Sequence, residues 1–518
     1  MRRCKHAVLS GAAVMAALVI GPAANGTGTA CNVTELQRRS PLGVNISDAT
    51  AVAAADKLPA HCLVNATVAT AGNRVNLRLG LPEQWNGKFY FQGVGGFAGS
   101  HGRLDAGLER GYASATTDTG HQGSGTDGSW ALNDRPKEID YGHRGTHVTA
   151  VAGKQLTGAY FGKPARYSYF SGCSNGGRQA LMEAQRYPQD FDGIVAGDPS
   201  FGALGYVRRA LTYQFMLASP DRVLPPQKLD VVSKAVLAAC DQNDGLADGL
   251  ISDPRHCSFD PQPLLCKSGA APDCLSAGQL ATLQLIYSDM NAAGQRMYGF
   301  PVGHEAGDTG WPLWQTGRTA PLQQSDGTLK FTEDSPTGYR FAEGFFPFMA
   351  FEQDNPNYDW RKFDAQRDLP KIKTIAQILS PTSTDLSKFV ERGGKLLMYH
   401  GWADPAISAY GSIAYYDKVV AANGGKRAAD NFVRLFLAPG MHHCRGGPGP
   451  DVFDTLTALE QWVEQGTAPA QLVAQHSSPD KGEGTRLLCP EPQVARYVGK
   501  GNSKAAENFR CEAVAARQ

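Results

Sequence analysis

The pentapeptide Gly172-Cys173-Ser174-Asn175-Gly176 has the G-x-S-x-G spacing of a nucleophile elbow. A serine hydroxyl is a weak nucleophile at neutral pH. It needs a base within about 3 Å and an acid to orient that base. Both are available downstream, in His442-His443-Cys444 and in Gly401-Trp402-Ala403-Asp404. The assignment is Ser174 as nucleophile, His443 as general base and then acid, and Asp404 as the orienting carboxylate, with His442 as the rival base. A developing oxyanion needs two backbone N–H donors. Asn175 supplies one because it follows the nucleophile, and the Gly95-Gly96 loop supplies the second, since glycines let the backbone approach a substrate. Taken singly, Ser174 also reads as a turn serine, His443 as a core histidine and Asp404 as a helix cap beside Pro405. Chain order, strand ends and cysteines together favour catalysis.

Cys173 precedes the candidate nucleophile and Cys444 follows the candidate base. The chain has eleven cysteines. Cys4 falls in residues 1–30, where Arg2, Arg3 and Lys5 precede a short apolar run from Ala7 to Ile20 and a small-residue stretch ending Gly28-Thr29-Ala30. That pattern is a signal peptide and implies a secreted or periplasmic protein. The run is shorter than the ~20 apolar residues needed to span a bilayer, and no later stretch is long enough, so no membrane association is expected after signal removal. A lipoprotein cut before Cys31 is the alternative. Ten cysteines then remain, an even number in an oxidising compartment. Local pairing suggests Cys31–Cys62, Cys240–Cys257, Cys266–Cys274 and Cys489–Cys511, which leaves Cys173 with Cys444. Such a bond sets Cα atoms about 5.5 Å apart and brings Ser174 beside His443. Some of the ten standing as buried free thiols is the competing reading.

The elements around these residues suit that chemistry. Lys88 to Gly93 reads as a strand entering the loop Gly95-Gly96-Phe97-Ala98-Gly99. Arg166 to Phe170 reads as a buried strand ending at the serine motif, and Gly177 to Arg186 as a helix. Lys395 to His400 and Phe432 to Leu437 read as strands that end before Asp404 and His443. Sites in open α/β sheets form at the carboxyl ends of the strands, and the order serine, aspartate, histidine is that of an α/β hydrolase. Between about 200 and 390 the chain is rich in Pro, Gly and Asp, with helices expected near Pro226 to Ala239 and Ser276 to Asn291. The expected organisation is a core in two parts, 31–200 and 389–518, with a lid, 201–388, inserted between them.

Within that insert, Cys240 to Ile251 gathers Asp241, Asp244 and Asp248 with two glycines. Oxygen-rich loops of this kind suit calcium, which takes 6–8 oxygen ligands; a solvated acidic turn is the bland alternative. Trp311, Trp314 and the Phe345-Phe346-Pro347-Phe348 run either line an aromatic pocket or fill the insert's core. The formal charge is +1, with 19% charged and 42% hydrophobic residues. That balance offers no basic stripe for nucleic acid.

With these residues in view, the chain resembles the tannase and feruloyl esterase family. The Cys173-Ser174, Asp404 and His443-Cys444 set looks like that family's disulfide-linked triad, and the Gly95–Gly99 loop like its oxyanion loop. The resemblance implies an α/β-hydrolase core with a lid, and a structural Ca2+ in the lid held by Asp241, Asp244 and Asp248 and by the carbonyls of Leu246 and Leu250. It implies a small aromatic ester as substrate: feruloyl or other hydroxycinnamoyl esters first, galloyl esters next, and mono(2-hydroxyethyl) terephthalate as the alternative. A non-catalytic, calcium-stabilised secreted binding protein is the alternative of another class, and a peptidase is a third reading.

Overall fold

The computed structural model describes residues 30–513, apart from 270, 333 and 479–481. The signal-peptide reading lies outside the described residues except for Ala30. A nine-stranded sheet organises the molecule. Its strands are β1 (Val44–Val52), β2 (His61–Thr70), β3 (Asn73–Pro82), β4 (Lys88–Gln92), β5 (Ala113–Thr117), β6 (Tyr167–Cys173), β7 (Gly193–Gly197), β8 (Lys395–Gly401) and β9 (Val433–Ala438). The spatial order is β1-β2-β3-β5-β4-β6-β7-β8-β9. β1, β2, β3 and β5 pair antiparallel, and every pairing from β5 through β4 to β9 is parallel.

The parallel strands are buried on both faces, so they lack polar alternation. Every residue of β5 and β7 is buried. Helices α1 (Gly145–Phe161), α2 (Asn175–Arg186), α3 (Ala203–Met216), α4 (Pro226–Cys240), α5 (Thr337–Phe345), α6 (Ala409–Ala422) and α7 (Thr455–Gln465) account for most of the helical chain. α1, α2, α6 and α7 pack against the sheet.

Register sets the working edge. Cys173 of β6 lies opposite Gly197 of β7, Gly197 opposite Tyr399 of β8, and Tyr399 opposite Phe436 of β9. The carboxyl ends of four parallel strands therefore form one row, and whatever follows them is brought together. Between β7 and β8 the chain adds nothing to this sheet. It builds α3, α5 and two small hairpins around an aromatic core that includes Tyr213, Phe345, Phe346 and Trp360, while α4 packs through Leu229, Val232 and Val236 in another cluster.

α2 starts tight against the chain that follows β7. A methyl at Gly177 would lie 2.3 Å from the Gly197 carbonyl oxygen and 2.9 Å from Pro199 Cα, so only hydrogen fits. We expect Gly177→Ala to lower stability by about 1–3 kcal/mol through overpacking, read as a lowered urea midpoint. An unchanged midpoint would contradict this seating of the helix.

Candidate active site

Ser174 stands between β6 and α2 with φ 65° and ψ −120°. That is left-handed backbone for a non-glycine residue, which costs of order 1–3 kcal/mol and persists only when neighbours over-determine it. Here they do. Ser174 N–H donates to Gly197 O (2.9 Å), and Ser174 O accepts from Arg178 N–H (3.0 Å) and Ser200 N–H (3.1 Å). Arg178 is 1% exposed. Its guanidinium lies over the Tyr141 ring and donates to Gly142 O (2.6 Å), Tyr141 O (2.9 Å) and Asn175 Oδ1 (2.8 Å).

Asn175 in turn passes the contact to the glycine loop, since its Nδ2 donates to Val94 O (2.9 Å). Val94 N–H donates to Gln179 Oε1 (3.0 Å). Gly96 has φ 59°, and a Cβ there would meet Gly125 O at 2.4 Å, so this position requires glycine. Tyr141 Oη donates to Gly96 O (3.1 Å). Gly95 and Gly96 are thus held against the same helix end that begins with Asn175, the residue expected to give the other oxyanion donor.

Asp404 and His443 meet. His443 Nδ1 is 2.8 Å from Asp404 Oδ2, which leaves Nε2 for a proton acceptor's work. Asp404 Oδ1 accepts from Ala406 N–H (2.7 Å) and Ile407 N–H (3.0 Å). Burial alone would raise the Asp404 carboxyl; the His443 and His400 imidazoles outweigh it and hold it well below the usual carboxylate range. Cys173 and Cys444 are bonded with Cα atoms 5.9 Å apart, so the neighbours Ser174 and His443 are tied across a sequence separation of 271. The other four bonds are Cys31–Cys62, Cys240–Cys257, Cys266–Cys274 and Cys489–Cys511, the expected pairs. Among the described residues Ser174 and His443 share no side-chain hydrogen bond; such contacts commonly tighten when substrate arrives. His442 points away, its Nδ1 2.7 Å from Thr309 Oγ1. The Trp314 ring stands edge-on to His443 with centroids 4.8 Å apart, whereas Trp311, Phe345 and Phe346 are core residues of the insert.

Sequence reasoning missed two residues beneath this site. Asp198 follows β7, is wholly buried, and its carboxylate accepts from Gly401 N–H (2.8 Å) and Cys444 N–H (3.2 Å). His400, equally buried, places Nε2 3.2 Å from Asp404 Oδ2 and 3.6 Å from Asp198 Oδ1. Burial pushes the Asp198 carboxyl up to about 6 against the pull of His400, with Asp404 adding to the rise. Burial lowers His400, but the two carboxylates outweigh it and raise the imidazole above its ordinary value. An acid just past a strand end and a histidine four residues before Asp404 were the available signals.

The acidic loop closes on itself after α4. Asp241 accepts from Gly249 N–H, Asp244 from Leu246 N–H, and Asp248 from Leu250 N–H, each through a side-chain oxygen. Those turns leave the Leu246 and Leu250 carbonyls without a hydrogen bond among the described residues. The buried Arg486 guanidinium ion-pairs with Asp244 (2.9 Å) and Asp248 (2.6 Å). Three carboxylates against one guanidinium leave two negative charges in the loop, the charge balance and oxygen donors that a hard divalent cation takes, although their oxygens do not converge within 4.8 Å of one another. Burial raises the Asp241 carboxyl, and Asp248 and Asp244 add to it against the Gly249 N–H.

A mostly parallel sheet with an elbow after β6 and a histidine–carboxylate pair past β8 and β9 is an α/β-hydrolase fold. Residues 62–512 match the family described as "Tannase and feruloyl esterase". The chain is 34% identical to the mono(2-hydroxyethyl) terephthalate hydrolase of Piscinibacter sakaiensis, over 90% of this chain and 87% of that protein. It is 34% identical to a probable feruloyl esterase of Arthroderma benhamiae, over 87% and 85%. The crystal structure of feruloyl esterase B from Aspergillus oryzae superposes with a TM-score of 0.82 at 26% identity, covering 92% of this chain and 98% of that one. The chain belongs to the tannase and feruloyl esterase family, and it is a carboxylic ester hydrolase.

His121 braces the glycine loop from behind. It stacks on Trp130 at 3.7 Å, and Nε2 is 2.7 Å from Phe97 O. Burial pushes its imidazole down to about 4, against the Phe97 carbonyl and Asp118. The folded state therefore keeps His121 neutral while the unfolded chain binds a proton below about 6.5. Between those values the unfolded state holds more protons, so this contribution is complete above about 6.5 and is lost as pH falls towards 4. We expect the stability lost between pH 7 and pH 5 to be smaller in His121→Gln than in the wild type, by up to about 2 kcal/mol. Equal losses in urea titrations at both pH values would rule out His121 as a source of acid sensitivity.

Proposed function

We propose that the chain hydrolyses esters of aromatic carboxylic acids through an acyl-enzyme on Ser174. The observation that carries this reading is the 2.8 Å His443–Asp404 contact tied to the elbow by the Cys173–Cys444 bond. His443 Nε2 takes the Ser174 hydroxyl proton as Oγ attacks the ester carbonyl carbon. The oxyanion is met by the N–H groups of Asn175 and of Gly95 or Gly96. The ester C–O bond breaks, and the alcohol leaves with the proton from His443. Water, deprotonated by the same imidazole, then frees the acid. Asp404 stays ionised throughout and fixes the His443 tautomer. Trp314, edge-on to His443, supplies an aromatic wall beside the reacting bond, under an insert acting as a lid. Feruloyl and related hydroxycinnamoyl esters are the first choice of substrate and galloyl esters the next. Mono(2-hydroxyethyl) terephthalate is the alternative, favoured by the likeness to a relative of that name.

Ser174→Ala should lower kcat/KM by about 10,000-fold or more with the circular dichroism spectrum unchanged. The test is turnover of methyl ferulate, methyl gallate and mono(2-hydroxyethyl) terephthalate by wild type and variant. Near-normal rates in the variant would overturn the nucleophile assignment, and the ranking of the three esters decides the substrate.

The reading extends to export and to a metal. A signal peptide over 1–30 and five disulfides suit a secreted or periplasmic enzyme. Asp241, Asp244, Asp248 and the Leu246 and Leu250 carbonyls would hold Ca2+, whose part is to neutralise the loop and pin α4 to the C-terminal segment. A ligand present at 100 times its dissociation constant stabilises by about 2.7 kcal/mol. Chelation should therefore lower the melting temperature of the wild type, calcium should restore it, and Asp241→Asn should remove the response while turnover below the transition stays near normal. A melting curve indifferent to chelator would exclude the metal.

A further inference from the structure

A cavity of about 490 Å³ opens between α3, α6 and the loop after Asp404. Neither Ser174 nor His443 lines it. Its size falls within the 300–1,000 Å³ typical of small-molecule sites. Its charges are one-sided: Arg208, Arg209, Arg296 and Lys418 line it, and no aspartate or glutamate does. Arg296 is ion-paired with Asp289 outside the cavity (2.5 Å). Among the described residues Arg208 makes no ion pair, although the Asp289 carboxylate acts on it at longer range. Arg208 is 6% exposed, it donates only to the carbonyls of Ile286, Leu285 and Met297, and its buried Nε finds no acceptor among the described residues. Burial pushes its guanidinium down to about 10. Arg209 donates to Ala406 O (2.5 Å), and its Nη1 is likewise without an acceptor.

Asp289 acts on Arg208 and Asp404 on Arg209 only from beyond ion-pair distance, so buried charge here favours an occupant that brings an anion into direct contact. The planar guanidinium fork matches a carboxylate in two parallel hydrogen bonds. The remaining wall is aromatic. Arg208 lies over the Phe300 ring (5.4 Å), Arg296 over Tyr298 (4.8 Å), and Phe201 and Tyr415 also face the space. We propose that this cavity is a second binding site, distinct from the reacting serine, for the anion of an aromatic carboxylic acid. Acids of this class are what an aromatic-ester hydrolase releases. Ala406 and Ile407 line the cavity and donate their N–H groups to Asp404 Oδ1, so an occupant would rest against the loop that holds the catalytic acid. The site itself does not depend on Ser174 being the nucleophile.

The test is calorimetric titration of the mature chain, after treatment with phenylmethylsulfonyl fluoride, with 4-hydroxybenzoate and with its neutral isostere 4-hydroxybenzamide. One acid per chain should bind, and the amide should bind about 10-fold or more weakly. A Cβ at Gly205, which lines the cavity on α3, meets nothing within 4 Å, so Gly205→Trp fills the space without a backbone clash. It should weaken the acid about 10-fold or more while leaving ester turnover within about twofold of wild type. Lys418→Glu, at the exposed rim, should weaken it without altering the wall. No binding by the treated protein, equal affinity for acid and amide, or undiminished binding in both variants would overturn the proposal. Mass spectrometry of the treated chain reports the other question separately. An unmodified Ser174 with Gly205-sensitive binding intact would count against the nucleophile and not against the cavity.

Discussion

The conformation of one residue, Ser174 at φ 65°, constrains the rest of the active site. A side chain in that backbone region is strained, and an isolated turn would relax and turn the hydroxyl away. The protein prevents this with backbone hydrogen bonds from β7 and from the chain just after it, and with a buried arginine. Arg178 reaches from α2 to the carbonyls of Tyr141 and Gly142 and to Asn175. Hydrogen-bonded groups from three parts of the sequence, residues 141–142, 175–178 and 197–200, thus converge on the turn. The same Asn175 fixes Val94, and with it the glycine loop. The proposed nucleophile and the proposed oxyanion donors are positioned by one network, not by two adjustable parts.

His443, the proposed base, is secured differently. β9 ends at Ala438, and His443 follows in a loop with no helix to hold it. Packing alone gives such a loop several conformations. The Cys173–Cys444 bond removes most of them by joining the histidine's neighbour to the serine's. Closing so long a loop takes about 5 kcal/mol of chain entropy from the unfolded state in the loop-closure picture, but its geometric effect matters more for chemistry. Asp198 reinforces it from below, bonding the Cys444 N–H and the Gly401 N–H at once. The acid loop, the base loop and the disulfide therefore share one buried carboxylate. His400 lies between Asp198 and Asp404, and the two carboxylates raise its imidazole against the effect of burial.

Much of this was legible in the sequence because parallel strands and elbows are local patterns. The continuous apolar runs of β4, β6, β8 and β9 declared themselves, as did α2 after the serine and α4 after Pro226, each within a few residues of its observed ends. The antiparallel strands β1 to β3 did not. β1 is an edge with Val44 and Ile46 as its buried residues, and Asn, Thr and Ala dilute the alternation of β2. In the candidate site, the meeting of Asp404 with His443 and its tie to the Ser174 turn were legible because residue types and chain order are themselves the signal. Asp198 and His400 carried only faint signals, an acid past a strand end and a histidine four residues before Asp404, since their importance arises from register. Only when Cys173, Gly197 and Tyr399 are seen opposite one another do the residues just beyond them become neighbours.

The insert is coupled to the chemistry through backbone as well as through shape. Gln315 Nε2 donates to Pro405 O (2.7 Å) and Arg209 to Ala406 O. Thr309 meets His442, and Trp314 meets His443. Every one of these contacts lands on a residue within two positions of Asp404 or His443. A lid that merely covered a pocket could vary freely to suit new esters. One that also holds the loops of Asp404 and His443 cannot, because a substitution at any of these four contacts also moves the imidazole. Misplacements of about 1 Å can cost about 100-fold in rate. Substrate preference in this enzyme is therefore expected to shift through side chains that line the wall without bonding to 404–407 or 442–444, while Gln315, Arg209 and Thr309 keep their roles whatever ester is accepted.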